Sequence, residues 1–283
     1  MQNAKCKMQN GAGAFYRGWR RPGPRPPGGV EPDSGETLDY LCGWFRIFQY
    51  EKGHRYSTDD VLTAWYGILC APRVSRFADL GSGIGSVAII AAWRLPAAQV
   101  VTVEAQEQSI RLARKSVAYN GLSDRFTLIQ GDLRDFQSEV SFDLVTGSPP
   151  YFPPGTATEA EHSQAIPARI EMRGTIAGYA ATASRILAPG GVFAFVFPTL
   201  QLARVDEALR DAGLMLLRRR EVIFKEGEPS LITLFCTARI GDVPPRDAFV
   251  EPPLIIRRTD GSIHPEYAVI RMSFGFPPGD VPA

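Results

Sequence analysis

The chain has 283 residues, 45% of them hydrophobic and 22% charged, which suits a soluble globular protein with one sizeable domain. No apolar run approaches the roughly 20 residues of a membrane span, and the N-terminus lacks the apolar core of a signal peptide. The four cysteines and three histidines are scattered without disulfide or metal-ligand spacing, so a secreted disulfide scaffold and a metal centre are excluded and free thiols in a reducing cytoplasm are expected.

The net charge of +1 is unevenly spread, because residues 1–30 carry Lys5, Lys7, Arg17, Arg20, Arg21 and Arg25 with no acid among them. Proline and glycine dominate residues 21–29, so residues 1–35 are expected to form a disordered basic arm. Such an arm can attract phosphates without reading sequence, or it can be an incidental tail; composition does not choose between these.

Order is expected to begin near Leu38. The aromatic stretch 41–50 suits a short strand or hairpin. Ser57 or Thr58 then offers an N-cap to a helix carrying Val61, Leu62, Trp65 and Ile68 on one face. After Pro72, short apolar runs alternate with amphipathic stretches. Strands are expected at 76–80, 99–104, 126–130, 142–146, 191–198, 218–224 and 231–237. Helices are expected at 86–93, 107–120, 175–187 and 201–212. This alternation predicts βαβ units and a mostly parallel, seven-stranded α/β sheet with helices on both faces. The last two strands are close in sequence and are expected to pair antiparallel at one edge. The domain is bounded at 36–276, with a loose tail at 277–283.

Four features fall at successive strand ends, where open α/β sheets bind ligands. Gly81, Gly83 and Gly85 form a GxGxG turn between the first strand and its helix, with Asp79 just ahead of it. A carboxylate there would repel a pyrophosphate and suits a cationic ligand with an amino acid end, such as S-adenosylmethionine. Glu104 ends the second strand, 23 residues after Gly81, placed to accept from a ribose diol. Asp132 ends the third, where it can accept from an adenine amino group or simply sit in a Gly-Asp turn. The fourth strand delivers Ser148, Pro149, Pro150 and Tyr151. The two prolines end the strand and leave the carbonyls of Ser148 and Pro149 without a following amide to compete for them. The loop therefore presents acceptors beside an aromatic ring, which suits a planar ring bearing a reactive amine.

These residues resemble class I S-adenosylmethionine-dependent methyltransferases that modify exocyclic amines. The segment from Asp79 to Gly85 resembles their cofactor loop, and Ser148 to Tyr151 their (Asn/Asp/Ser)-Pro-Pro-(Tyr/Phe/Trp) tetrapeptide. Phe48 to Tyr50, His54 to Leu62, Ala168 to Glu171 and Ile255 to Tyr267 narrow the resemblance to the bacterial adenine-N6 methyltransferases of a valine tRNA, over about Phe45 to Phe274. It implies a Rossmann-like methyltransferase fold, S-adenosylmethionine as cofactor, a tRNA substrate and a monomeric cytoplasmic enzyme. It also implies a cofactor set of Thr58, Asp59, Asp79, Gly81, Ser82, Gly83, Gly85, Glu104, Ala105, Asp132 and Leu133, with Ser148, Pro149, Pro150 and Tyr151 as the catalytic loop. Arg218, Arg219 and Arg220, with Arg257 and Arg258, are expected either to track phosphates or to form a charged strand edge.

One departure stands out. The family usually has Asn where this chain has Ser148, and Ser is more familiar in enzymes methylating cytosine N4. The motif order remains that of the adenine group. Cytosine N4, guanine N2 and a protein glutamine amide stay open as acceptors, as does a silent cofactor-binding protein. The loop spacing and Asp79 argue against a hydride-transferring dehydrogenase.

Overall fold

The computed structural model describes residues 15–16, 19–20, 22–23, 25–53, 55–71, 73–151 and 174–277. The segment from Ala168 to Glu171, His54 and most of the basic arm lie outside the described residues.

An eight-stranded sheet forms the centre, built from β5 (Arg76–Leu80), β6 (Gln99–Glu104), β7 (Phe126–Gln130), β8 (Phe142–Gly147), β9 (Leu187–Pro198), β10 (Leu214–Lys225), β11 (Ile232–Arg239) and β12 (Phe249–Arg257). Their order across the sheet is β12-β10-β11-β9-β8-β5-β6-β7. Strands β7, β6, β5, β8 and β9 run parallel, and β11 is antiparallel to both of its neighbours. The chain leaves β5 toward β6 and later returns on the other side as β8. A crevice therefore opens above the carboxyl end of β5.

The last two expected strands, β10 and β11, do pair antiparallel. One expectation is corrected: the sheet has eight strands, because β12 adds in parallel beyond β10, while β11 lies inside between β10 and β9. Pro252 and Pro253 make the β12 segment read as a loop. They are tolerated because an edge strand needs ladder donors on one side only, and the register shifts where they fall.

The helices are α1 (Thr58–Cys70), α2 (Ser86–Arg94), α3 (Glu107–Tyr119), α4 (Ile176–Ile186), α5 (Leu202–Asp211) and α6 (Pro265–Ser273). Ser57 caps α1 in a full capping box, its side chain accepting from Asp59 N–H while Asp60 accepts Ser57 N–H at 2.6 Å. Strand β9 is buried on both faces, and its period of two divides the core. Val192, Ala194 and Val196 face the cluster of α1 and α2, whereas Phe193, Phe195 and Phe197 face that of α4 and α5. Phe195 stacks between Phe193 and Phe235, with 4.8 Å between centroids on each side.

A hairpin of β3 (Glu36–Cys42) and β4 (Phe45–Tyr50) precedes the sheet and rides on α3. Phe48 N–H donates to Ser116 Oγ at 2.9 Å, and Asn120 bridges both backbone groups of Arg46. Glu36, buried against α3, meets Arg111 and Lys115 at 2.5 and 2.6 Å. Residues 25–35, read from sequence as the end of the arm, also lie on this surface. Gly28 N–H donates to Tyr119 O at 3.1 Å, Val30 packs on the core, and Asp33 pairs with Arg111. A short ribbon of β1 (Phe15–Tyr16) and β2 (Trp19–Arg20) pairs within the arm.

Candidate active site

Above the crevice lies a cavity of about 580 Å³, within the range of small-molecule sites. Its walls come from the N-terminus of α1 and the loops after β5, β6, β7 and β8.

Gly81, Gly83 and Gly85 all adopt left-handed backbone, with φ of 61°, 56° and 82°. The loop is stitched to the next strand, because Ser82 N–H donates to Val103 O and Gly83 N–H to Glu104 Oε2 at 2.8 Å. Glu104 Oε1 accepts from Gln106 N–H at 2.6 Å. The Glu104 carboxylate is thereby fixed at the cavity wall.

Asp79 is 1% exposed, and its Oδ1 accepts from the Thr146 hydroxyl at 2.7 Å while Oδ2 has no partner among the described residues. Burial pushes its carboxyl up to about 7, and the negative Asp60 and Glu104 add to the rise. Desolvation lifts Asp60 to about 6 against hydrogen bonds from Ser57 N–H and the Ser86 hydroxyl. The cavity thus gathers Asp59, Asp60, Asp79 and Glu104 with one carboxylate oxygen unpaired, an environment suited to a cation.

At the opposite wall, Pro149 and Pro150 are buried and the Ser148 Oγ is enclosed without a partner among the described residues. Tyr151 donates its hydroxyl to Asp59 Oδ2 at 3.0 Å, and its carbonyl accepts from Gln201 Nε2 at 2.9 Å. Its ring meets Phe197 edge-on at 6.1 Å. Desolvation first, then the charge of Asp59, holds the phenol well above its ordinary range, so it remains a donor.

Of the residues singled out from sequence, Asp59, Asp79, Gly81, Ser82, Gly83, Glu104, Ala105, Leu133, Ser148, Pro149, Pro150 and Tyr151 line this cavity. Thr58 begins α1, and Gly85 caps α2 just behind the wall. Asp132 does not line it. Its carboxylate accepts from the guanidinium of Arg134, at 2.9 Å to Nε, while Gly131 and Leu133 on either side face the space. Sequence reading missed Asp60 and Tyr179. Asp60 carried a signal, the acid three residues after the Ser57 cap, whereas nothing local marked Tyr179. Arg218 pairs with Glu251 at 2.8 Å and Arg220 with Glu266 at 2.7 Å, so both tie β10 to the outer elements. Among the described residues, no group of three metal-ligating side chains forms and no helix is long and apolar enough to cross a membrane.

The switch in strand order, the glycine loop and the acid-lined cavity define a class I S-adenosylmethionine-dependent methyltransferase. The model of the methyltransferase small domain family matches residues 67–204. A tRNA1(Val) (adenine(37)-N6)-methyltransferase of Aeromonas hydrophila is 34% identical over 183 residues, 62% of this chain and 71% of the relative. A 4-amino-L-phenylalanine/4-methylamino-L-phenylalanine methyltransferase of Streptomyces pristinaespiralis is 38% identical over 143 residues, 48% of each chain. A solved structure of a predicted O-methyltransferase from Agrobacterium tumefaciens shares the fold, with a TM-score of 0.57 at 21% identity over 78% of this chain and 98% of that one. The chain belongs to the family of bacterial tRNA1(Val) adenine-N6-methyltransferases, and its cofactor is S-adenosylmethionine.

Proposed function

We propose that the enzyme methylates the N6 amine of an adenine in tRNA, with the base turned out of its stack to reach the loop from Ser148 to Tyr151. The observation that carries this reading is the enclosed, unpartnered Ser148 Oγ beside the buried Pro149, in the wall of an acid-lined cavity. The cavity fits the cofactor: its glycine cradle admits close backbone approach, and the free Asp79 Oδ2 suits an ammonium group.

Bound S-adenosylmethionine supplies an electrophilic methyl group on a sulfonium. An adenine amine is a weak nucleophile because its lone pair is delocalised into the ring. Acceptance of its two protons by Ser148 Oγ and the Pro149 carbonyl favours a pyramidal nitrogen with a localised lone pair. The loop thereby orients the amine, and no strong base is required because its proton can depart after transfer. Tyr151 offers a ring face for base stacking, worth about 1–3 kcal/mol in comparable contacts. Positioning and fixed dipoles account for most of the acceleration.

A second reading, a free aromatic amine as acceptor, is favoured by the 38% identity to the Streptomyces relative. Parallel incubations of labelled S-adenosylmethionine with unmodified bulk tRNA and with 4-aminophenylalanine, read by mass spectrometry of the nucleosides and of the amino acid, test both. Label in N6-methyladenosine is the expected result. Label in N4-methylcytidine moves the acceptor to cytosine, and no labelled nucleoside beside a methylated 4-aminophenylalanine supports the second reading.

A further inference from the structure

Tyr179 belongs to the first turn of α4, far in sequence from the motifs, yet its side chain forms part of the cavity wall. It reaches that place because three glycines make room for its ring. A methyl group placed on Gly81 would lie 1.9 Å from the Tyr179 hydroxyl. On Gly147 it would lie 2.7 Å from Cδ1, and on Gly174 3.1 Å from Cε2. The ring is therefore clamped between the ends of β5 and β8, with its hydroxyl over the first glycine of the cofactor loop.

The residue is 4% exposed, and its hydroxyl makes no hydrogen bond to any described residue. The ring is packed into the wall, but the hydroxyl is not one of the enclosed, unpartnered polar atoms, so it opens onto the cavity, where a ligand can meet it. Burial first, then the negative Glu104, Asp79 and Asp132, raise its pKa and keep it protonated. When ionised, the acidic side chains around it only accept, and Gly83 N–H is already bonded to Glu104. S-adenosylmethionine carries acceptors of its own: carboxylate oxygens, ribose oxygens and ring nitrogens.

We propose that Tyr179 is a cofactor-positioning residue whose hydroxyl, standing over Gly81, donates a hydrogen bond to an acceptor atom of bound S-adenosylmethionine. It rests on the cofactor assignment but not on the identity of the methyl acceptor. The mutant that isolates the hydroxyl is Tyr179→Phe. Calorimetric titration of the full-length wild-type and variant enzymes with S-adenosylmethionine, run beside steady-state kinetics and thermal melts of the free proteins, reads the effect. The dissociation constant and KM for the cofactor should rise roughly 3- to 10-fold, the loss of one neutral hydrogen bond. The kcat at saturating cofactor should stay within about twofold, and the free variant should melt no lower than wild type. Equal cofactor affinity in the two proteins overturns the proposal, whether or not the melting temperature falls, since Tyr179 would then serve packing alone. A wild-type enzyme that fails to bind S-adenosylmethionine overturns it together with the cofactor assignment, so the two failures are distinct.

Discussion

Tyr151 and Asp59 lie 92 positions apart in the chain and are joined by a hydrogen bond, the phenol donating to Oδ2 at 3.0 Å. The bond ties the loop proposed to face the methyl acceptor to the helix end that lines the cavity proposed to hold the cofactor. Removing the hydroxyl and removing the ring should therefore differ. Tyr151→Phe keeps the stacking face and should lower kcat/KM by no more than about 10-fold, the range of one net hydrogen bond. Tyr151→Ala removes the face as well and should lower it by about 10- to 100-fold. Equal losses from the two would mean that the bond to Asp59, rather than stacking, is what the residue supplies.

Ser148 tests the loop chemistry. Ser148→Ala removes one acceptor for the amine and should lower kcat by about 100-fold while leaving cofactor affinity unchanged. Ser148→Asn restores an acceptor and should recover activity on the same nucleoside. A variant that gains adenine activity at the expense of another base would show that Ser148 sets the choice of acceptor.

Acidity supplies a further handle. Unfolded aspartates titrate near 4, whereas folded Asp79 is pushed up to about 7 and Asp60 to about 6, both by burial first. Between those limits the folded protein holds protons that the unfolded chain has lost. The stability of the free protein from these groups is therefore fully present below about pH 4 and falls as pH rises through 6 and 7. Cofactor affinity should move the other way, tightening from pH 5.5 to 8 as the carboxyls ionise against its cationic groups. Melting curves and titrations across this range check both signs, and Asp79→Asn should flatten both.

The clamp on Tyr179 predicts a cost at a glycine outside the cofactor loop. Gly147→Ala puts a methyl 2.7 Å from Cδ1 of a ring already held on its other side. Overpacking of this kind costs about 1–3 kcal/mol, which chemical denaturation resolves easily. A neutral result would show that the ring can move and that the clamp is loose.

Arg218 provides the control on charge. Its guanidinium is paired with Glu251, and its removal leaves that acid half-buried without its cation. Arg218→Ala should therefore lower stability and leave the salt dependence of tRNA binding unchanged. A flatter salt slope would instead make it a phosphate contact.

The alternation of apolar runs and amphipathic stretches from Arg76 to Phe235 was legible without coordinates, because strand and helix periodicity is written into neighbouring residues. So were the glycine loop, Asp79, Glu104 and the tetrapeptide, whose chemistry is local. Pairing was not. That β11 lies inside the sheet, that β12 closes its edge despite Pro252 and Pro253, and that Asp132 meets Arg134 rather than the cavity are choices among competing partners. Tyr179 shows the limit most clearly, since the space for its ring is made by glycines 98, 32 and 5 positions upstream. Local sequence alone determined which segments fold and which residues can carry chemistry. Tertiary packing decided which of them meet, because the free energy of a contact depends on what the rest of the chain brings to the same place.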